Sequence, residues 1–293
     1  MARRFLAPLP TGGTDLPVLL SPAESRARAT GTVGWTLQPV HGAALVLALC
    51  FFVLVPDAIA QATDEGREPV LSVMLRWTPV LAEGFAFNLL ISFMSMAIGT
   101  LAGVVLGLMQ VSPLKPLRFV SYWITQFFRN APWLVLLFYC IFLIPFEIEV
   151  FGLEIPFPGW VKAVIGLSLP VMANVSEIVR GAVQSIPDGQ WEAAESLAFS
   201  RGQTLWQIIL PQCVKRMLPP WMNLYAILTM ATPLVSIVGV SDAMQRTGEI
   251  LAAENRQDLL IPMYLYLLSW FFIYCYPIAR WTIRLERRFA VVT

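Results

Sequence analysis

Long apolar runs separated by short polar segments dominate the pattern of residues along this chain. Six windows carry no Asp, Glu, Lys or Arg: Val40–Val55, Gly84–Leu114, Asn130–Phe146, Ala163–Ser176, Met217–Ser241 and Leu259–Ala279. A helix that crosses a bilayer needs about 20 mostly apolar residues. The fourth window reaches that length if Lys162 at its start snorkels to the interface. The pattern therefore predicts an all-α, polytopic transmembrane helical bundle of six spans.

The first window is the weakest span and has two readings. Its apolar core and the small residues Ala58-Ile59-Ala60 resemble a signal peptide with a cleavage site. The leader of about 40 residues is too long for the usual charged region of a signal peptide, so we expect an uncleaved span over 39–58. We expect residues 1–38 to be a disordered cytoplasmic tail and residues 59–82 to be a periplasmic loop.

Composition and charge agree with a membrane protein. The chain is 57% hydrophobic and 13% charged, with a net charge of +1, which gives no indication of nucleic-acid binding. One histidine and four widely spaced cysteines form no metal or disulfide pattern. With the N-terminus in the cytoplasm, most Lys and Arg residues fall on the inner side, as the positive-inside rule requires. We therefore expect a multi-pass protein with a cytoplasmic N-terminus.

A soluble-looking segment, Gln190–Pro211, interrupts the apolar pattern. Its composition predicts two short cytoplasmic helices, the first with Trp191, Ala194 and Ala198 on one face. Ser200 and Gln203 form a capping box at the start of the second helix, and Pro211 ends or kinks that helix. Membrane-surface helices are usually rich in Lys and Arg, whereas this segment is acidic at its start. A protein partner is the better interpretation.

The same segment carries a family resemblance. Glu192-Ala193-Ala194, followed at the expected spacing by Ile208-x-Leu210-Pro211, resembles the "EAA" loop of ABC-importer inner-membrane permeases. The ordered motifs "SFMSMAIGTLAGVVLGL", "FFRNAPWLVLLF", "SEIVRGAVQSIPDGQWEAAESLA", "IILPQCVKRMLPPWMN" and "PLVSIVG" are similar to the branch that takes up polar amino acids. The resemblance covers roughly residues 80 to 290.

The resemblance implies a bacterial inner-membrane permease subunit rather than an enzyme. It implies a five-helix permease domain over 83–290, with a coupling loop at about 181–218 that docks on a cytoplasmic ABC ATPase dimer. The implied ATPase-coupling residues are Gln190, Glu192, Ala193, Ala194, Glu195, Ala198 and Arg201. The other implied partners are a second permease subunit, a periplasmic solute-binding protein and membrane lipid, without nucleic acid. The chain itself binds no cofactor, and ATP with Mg²⁺ belongs to the partner ATPase.

Several positions depart from the family pattern. Alanine stands at position 198, where the family usually has glycine. A left-handed conformation there would cost alanine about 1–2 kcal/mol; the alternatives are that the turn shifts or that Ala198 stays helical. In the fifth span, Met230–Leu234 lacks the Lys-Asp pair that is usual in the branch. In the fourth span, Ser168-Leu169-Pro170 stands where the branch has Ser-Leu-Asn, and Gln126 replaces a usual glutamate. We therefore expect one half of a heterodimeric channel with a diverged substrate site.

Polar residues inside the spans are the candidates for the translocation pathway: Asn88, Ser92, Asn174, Asn223, Thr229, Thr232 and Ser236. Close helix packing is the alternative for the stripe that runs from Asn88 through Gly99, Gly103 and Gly107. The residues of the fifth span have an alternative role to lining the pathway. They could pack against neighbouring helices and form hydrogen bonds with the backbone carbonyl that Pro233 leaves free. Arg129, Glu177 and Arg180 form either a structural ion pair or a gate, since Glu177 and Arg180 are three residues apart on a helix.

Two other function classes fit the sequence less well. A secondary transporter would need internal symmetry and ionisable groups at mid-span, and neither is clear in the sequence. A membrane enzyme would need a catalytic constellation, and the sequence has none that we recognise. The chain also lacks a P-loop motif, so an importer subunit must borrow its ATPase.

Overall fold

The computed structural model describes residues 68–150 and 153–289. The predicted tail over 1–38 and the predicted span over 39–58 lie outside these residues. Helices α1 and α2 are Val70–Gln110 and Lys115–Asn130, α3 is Trp133–Leu143, and α4 is Gly159–Gln184. The remaining helices are α5 over Asp188–Ser196, α6 over Arg201–Val238, α7 over Ala243–Glu254 and α8 over Leu260–Phe289. The fold is all-α, as predicted, apart from one short hairpin.

That hairpin joins α3 to α4 and was missed. Strands β1, Glu147–Val150, and β2, Leu153–Pro156, pair antiparallel, with Glu147 opposite Pro156. Each strand has four residues, which is too short for alternation to distinguish it from a loop.

Four helices of the described residues, α1, α4, α6 and α8, are each long and apolar enough to cross a membrane. Helices α2 and α3 make a fifth span if they count as one, although they bend by 103° at Ala131-Pro132. These five correspond to the five predicted core spans. Proline lacks an N–H and disfavours a helical residue before it, which accounts for the break.

Helix α1 begins earlier than predicted. The loop expected over residues 59–82 is helical from Val70 onward, and α1 runs for 41 residues. Val70, Val73 and Leu81 are buried in a cluster with Met263 of α8. These tertiary contacts stabilise the segment that was expected to be a loop as the first turns of a helix.

The core is centred on α1 and α4. Gly99, Gly103 and Gly107 of α1 lie directly against Val171, Val175 and Val179 of α4, and a Cβ built on Gly103 would come within 2.6 Å of Val175. Small residues let two helix backbones approach closely. This contact confirms the close-packing reading of the glycines of the stripe.

Lys162 does not snorkel, so that expectation is wrong. Its side chain is fully buried, and Nζ donates to the carbonyl oxygens of Ile144 at 2.7 Å and Ile141 at 3.4 Å. The ammonium also lies 3.2 Å from the centre of the Phe146 ring. A helix leaves its last carbonyls without partners, and Lys162 satisfies those at the C-terminal end of α3.

The second helix of the soluble-looking segment is not a separate element. It is the first part of α6: Arg201–Gln203, then a π-helical stretch Thr204–Ile209, which continues as α-helix Leu210–Ala231 and a 3₁₀ turn Thr232–Val238. Pro211 cannot donate to a carbonyl four residues back, and a π-bulge accommodates such a local irregularity. Pro211 therefore does not end the helix.

Candidate functional site

Helix α5 is a short polar helix attached to the end of α4. Pro187 precedes it in an extended conformation, and Asp188 lies in its first turn, where a carboxylate favours the helix dipole. Its inner side carries Ala194, which is 1% exposed, and Trp191, which packs against Ile186, Ile209 and Cys213. The predicted inner face of Trp191 and Ala194 is thus present, but it does not include Ala198.

The outer side of α5 is open to solvent. Gln190, Glu192, Ala193 and Glu195 are exposed, as are Ala198 and Arg201 just beyond the helix. Ala194 points inward and anchors α5 to its own chain, so it is not available for direct contact with a partner. Two exposed apolar side chains, Leu197 at 72% and Trp206 at 64%, adjoin this surface and were not among the predicted residues.

Ala198 holds the C-terminal end of α5 in a left-handed conformation, with φ at 59°. The amide of Phe199 donates to the carbonyl of Ala194 at 3.1 Å, and the amide of Ala198 donates to the carbonyl of Glu195 at 2.9 Å. This pair of bonds is the Schellman motif, in which glycine is the usual residue. The open question about Ala198 is resolved: it is not helical.

The capping box at the start of α6 is confirmed. The Gln203 amide donates to Ser200 Oγ at 3.4 Å, and the Ser200 amide donates to Gln203 Oε1 at 2.9 Å. The turn between α5 and α6 is therefore closed by hydrogen bonds on both sides, which makes the α5–α6 corner a rigid element.

Arg129, Glu177 and Arg180 form an ion cluster near the same end of the bundle. Glu177 Oε2 accepts from Arg180 NH2 at 2.6 Å, and Arg129 NH1 lies 3.6 Å from the same oxygen. Arg180 NH1 also donates to Gln184 at 2.7 Å. The predicted pairing of Glu177 with Arg180 is confirmed, and Arg129 ties the end of α2 to α4.

A cleft of about 570 Å³ brings several predicted residues together. Arg129 and Glu177 line it together with Asn174 of α4, and Asn223 and Arg216 of α6 line it as well. The described structure therefore gathers two of the pathway candidates and two of the gate candidates around one cleft.

The other pathway candidates lie elsewhere, in buried hydrogen bonds. Ser92 lies 3.4 Å from the Tyr225 hydroxyl, and Thr229 donates to the Tyr225 carbonyl. Thr232 donates to the carbonyl of Thr229 at 2.8 Å, and the partly buried Ser236 donates to that of Pro233. These contacts satisfy backbone and side-chain groups within the bundle.

Asn88 connects α1 to a carboxylate that sequence reasoning missed. Its Nδ2 donates to Asp242 Oδ2 at 2.9 Å and to Thr232 Oγ1 at 3.1 Å, and its Oδ1 accepts from the Ala243 amide. Asp242 is the N-cap of α7, accepting from the Gln245 amide at 2.9 Å. Burial raises the pKa of Asp242 above its ordinary value. An Asp before a helical pattern was the available signal.

A second missed network lies between α1, α2 and α4. Gln110 Nε2 donates to Thr125 Oγ1 at 2.9 Å and to Ser176 Oγ at 3.1 Å, and these two hydroxyls lie 2.8 Å apart. All three residues are buried. The network fixes α2 against α4 beside the ion cluster, and only the tertiary packing reveals it.

Comparison with known proteins identifies the family. Residues 99–289 match the model of the family described as "Binding-protein-dependent transport system inner membrane component". The match covers more than half of the chain. The chain belongs to this family. Its matched region includes α5, the ion cluster and the cleft.

Relatives and a solved structure agree with that membership. The probable amino-acid ABC transporter permease protein YckA of Bacillus subtilis (strain 168) is 39% identical over 167 residues, which is 57% of this chain and 71% of that protein. The L-cystine transport system permease protein TcyB of the same organism is 31% identical, over 72% of this chain and 86% of that protein. A crystal structure of an amino acid ABC transporter with histidines matches with a TM-score of 0.65 and 27% identity, over 76% of this chain and 99% of that chain.

A methionine ABC transporter in an inward-facing conformation has the same fold, with a TM-score of 0.59 at 18% identity over 74% of this chain and 99% of that chain. The family membership makes this chain a permease, a transport subunit rather than an enzyme, in the inner membrane with several spans. Its family works with an ABC ATPase and a solute-binding protein.

Proposed function

We propose that this permease forms half of a translocation channel for polar amino acids or related solutes and that α5 couples it to the ATPase. The names of its relatives support the solute class: YckA is a probable amino-acid permease, and TcyB and the 34% identical ArtQ of Bacillus subtilis (strain 168) are named for cystine and arginine.

One observation carries the coupling role: α5 is anchored on one side and open on the other. Trp191 and Ala194 hold it against its own bundle, whereas Gln190, Glu192, Ala193 and Glu195 face outward. The outward face is acidic, and Glu192 offers a charge-assisted contact to a basic groove on the ATPase. Leu197 and Trp206 add exposed apolar area of the kind that marks protein contact surfaces.

The mechanism follows from the rigidity of this corner. A periplasmic binding protein delivers the solute, and ATP with Mg²⁺, held by the ATPase dimer, closes that dimer. The closing motion of the ATPase dimer reaches the permease at α5, because the hydrogen bonds of the Schellman motif and the capping box keep this helix end from deforming. It then passes directly into α4 and α6, which border the cleft that contains Asn174 and Asn223.

The test is the charge reversal Glu192→Lys in the complex reconstituted with its ATPase and binding protein. We expect the chain to insert and assemble, with solute uptake falling at least tenfold relative to ATP hydrolysed, because the contact to a basic groove becomes repulsive. Uptake and ATP hydrolysis are measured in proteoliposomes. Glu249→Lys, the same charge change at an exposed position of α7, is the control and should keep both rates. Uptake unchanged by Glu192→Lys would refute the docking model.

We also propose that the channel is a heterodimer. Met230, Pro170 and Gln126 occupy positions where the amino-acid branch usually carries polar or charged groups, so the partner half would supply them. Native mass spectrometry of the purified transporter should find one copy of this chain, one copy of a second permease and two ATPase subunits. A complex with two copies of this chain that transports solute with its ATPase would contradict the proposal.

A further inference from the structure

A long groove runs along α8 on the surface of the bundle. Its volume is about 890 Å³, and its apolar wall comes from Phe85 of α1 and from Trp270, Ile273, Tyr274, Pro277 and Trp281 of α8. We call this feature the α8 groove. Its aromatic residues lie edge to face at one end, where the ring of Phe85 is 5.7 Å from Trp270 and 6.1 Å from Tyr274.

The described chain does not cover this groove. Ile273 is 68% exposed and Trp281 is 63% exposed. Both side chains belong to α8, which is one of the four helices long and apolar enough to cross a membrane. Trp is enriched where a helix meets the membrane interface, and Trp281 is next to Arg280 at the charged end of the α8 groove. We therefore assign the end with Trp281 to the interface.

The same end is basic. Arg280 and Arg284 line the α8 groove, and their four-residue spacing places them on one face of α8. Arg280 lies over the ring of Tyr276, with Cζ 5.8 Å from its centre. None of the described residues that line the groove is acidic. Two guanidinium groups on one face suit a phosphate, which arginine binds through paired N–H donors.

The length of the groove fits one leaflet. Trp270 and Arg284 are fourteen residues apart, which corresponds to about 21 Å along a helix. Half of a bilayer's hydrocarbon core is about 15 Å deep, and the headgroup layer adds several more. A single acyl chain with its headgroup therefore spans the groove from end to end.

We propose that the α8 groove binds one anionic phospholipid, with an acyl chain along the aromatic wall and its phosphate between Arg280 and Arg284. A second copy of the chain is a poorer occupant, because the groove presents two arginines without an acidic partner. The site is independent of the transported solute and of the contact with the ATPase. It extends the role of membrane lipid from a surrounding solvent to a bound component.

The test measures phospholipid binding to the purified transporter in detergent by native mass spectrometry. Phosphatidylglycerol is titrated against phosphatidylcholine, and we expect the anionic lipid to bind one site per chain with higher affinity. The double variant Arg280→Gln/Arg284→Gln should weaken phosphatidylglycerol binding about 30-fold, since each basic residue near an anionic lipid contributes roughly a fivefold factor. Arg280→Lys/Arg284→Lys should restore most of it.

The matched control is Arg287→Gln/Arg288→Gln, which removes the same charge from the next turn of α8 but not from the groove. An equal loss in both Gln variants would mean a diffuse charge effect and would overturn the site. Equal affinity for the two lipids would also overturn it. So would an Ile273→Cys variant that forms a covalent dimer through position 273, because a second copy would then fill the groove.

Discussion

At the scale of single residues, Ala198 is the position where sequence and backbone conflict. The C-terminal end of α5 requires a left-handed residue, and alanine meets that requirement with its Cβ close to the following carbonyl oxygen. Nothing else at the corner is strained in this way, because Ser200 and Gln203 complete a normal capping box. The conflict is therefore local and removable.

Ala198→Gly should stabilise the protein by about 1 kcal/mol, because glycine adopts a positive φ without the Cβ clash. The measurement is the thermal unfolding midpoint of the purified transporter. Ala193→Gly, in the middle of α5 and equally exposed, is the control and should lower stability by up to about 1 kcal/mol. Two shifts of the same sign would contradict the left-handed assignment.

At the scale of elements, the contact between α1 and α4 holds the bundle together. Gly99, Gly103 and Gly107 recur every four residues and bring the α1 backbone against the valine row of α4. The polar residues Ser95 and Gln110 lie on the same side of α1 and bond to α4 through the Val164 carbonyl and Ser176. Close packing and buried hydrogen bonds therefore coincide at one interface.

Gly103→Ala should separate the two helices and destabilise the protein by about 1–3 kcal/mol, because the new methyl group meets the Met172 carbonyl and Val175 Cβ, both at 2.6 Å. Gly181→Ala in α4 is the matched control, since a Cβ there meets nothing within 4 Å. The control should be neutral or stabilising by up to about 1 kcal/mol. Thermal unfolding in detergent measures both, and an equally stable Gly103→Ala variant would show that this interface is loose.

At the scale of the whole molecule, the two ends of the bundle differ in what they present. One end carries α5, the ion cluster and the basic end of α8. The other carries the hairpin and α7, where Asp242 caps the helix and bonds to Asn88. The positive-inside rule assigns the first end to the cytoplasm, and with it we propose a cytoplasmic N-terminus.

Cysteine labelling tests that orientation. Cys140, Cys213 and Cys275 are buried, and Cys50 can be replaced by alanine to remove any background. A membrane-impermeant maleimide should then label Ser196→Cys only in inside-out vesicles and Ala253→Cys only in right-side-out vesicles. Both residues are exposed, so both should react once detergent opens the membrane. The reverse pattern would invert the topology.

The sequence alone was sufficient for the long apolar helices of the described residues, the polar segment and the family, because each of these depends on local properties. Apolar length decides which helices can cross a bilayer, and the capping box and the Glu177–Arg180 pair need only three-residue spacings. The EAA segment was recognisable for the same reason, as its residues are contiguous.

Only the tertiary structure decided the features that depend on distant partners. Lys162 is buried because the end of α3 offers it free carbonyls, Asp242 matters because Asn88 of α1 reaches it, and the start of α6 is continuous because a π-helical stretch absorbs Pro211. Long-range contacts fix whether a polar group meets water or a buried partner, and a polar group left unpaired inside a bundle is costly. The local pattern therefore determined which helices are apolar and long enough to cross a membrane, and packing determined what each polar residue does.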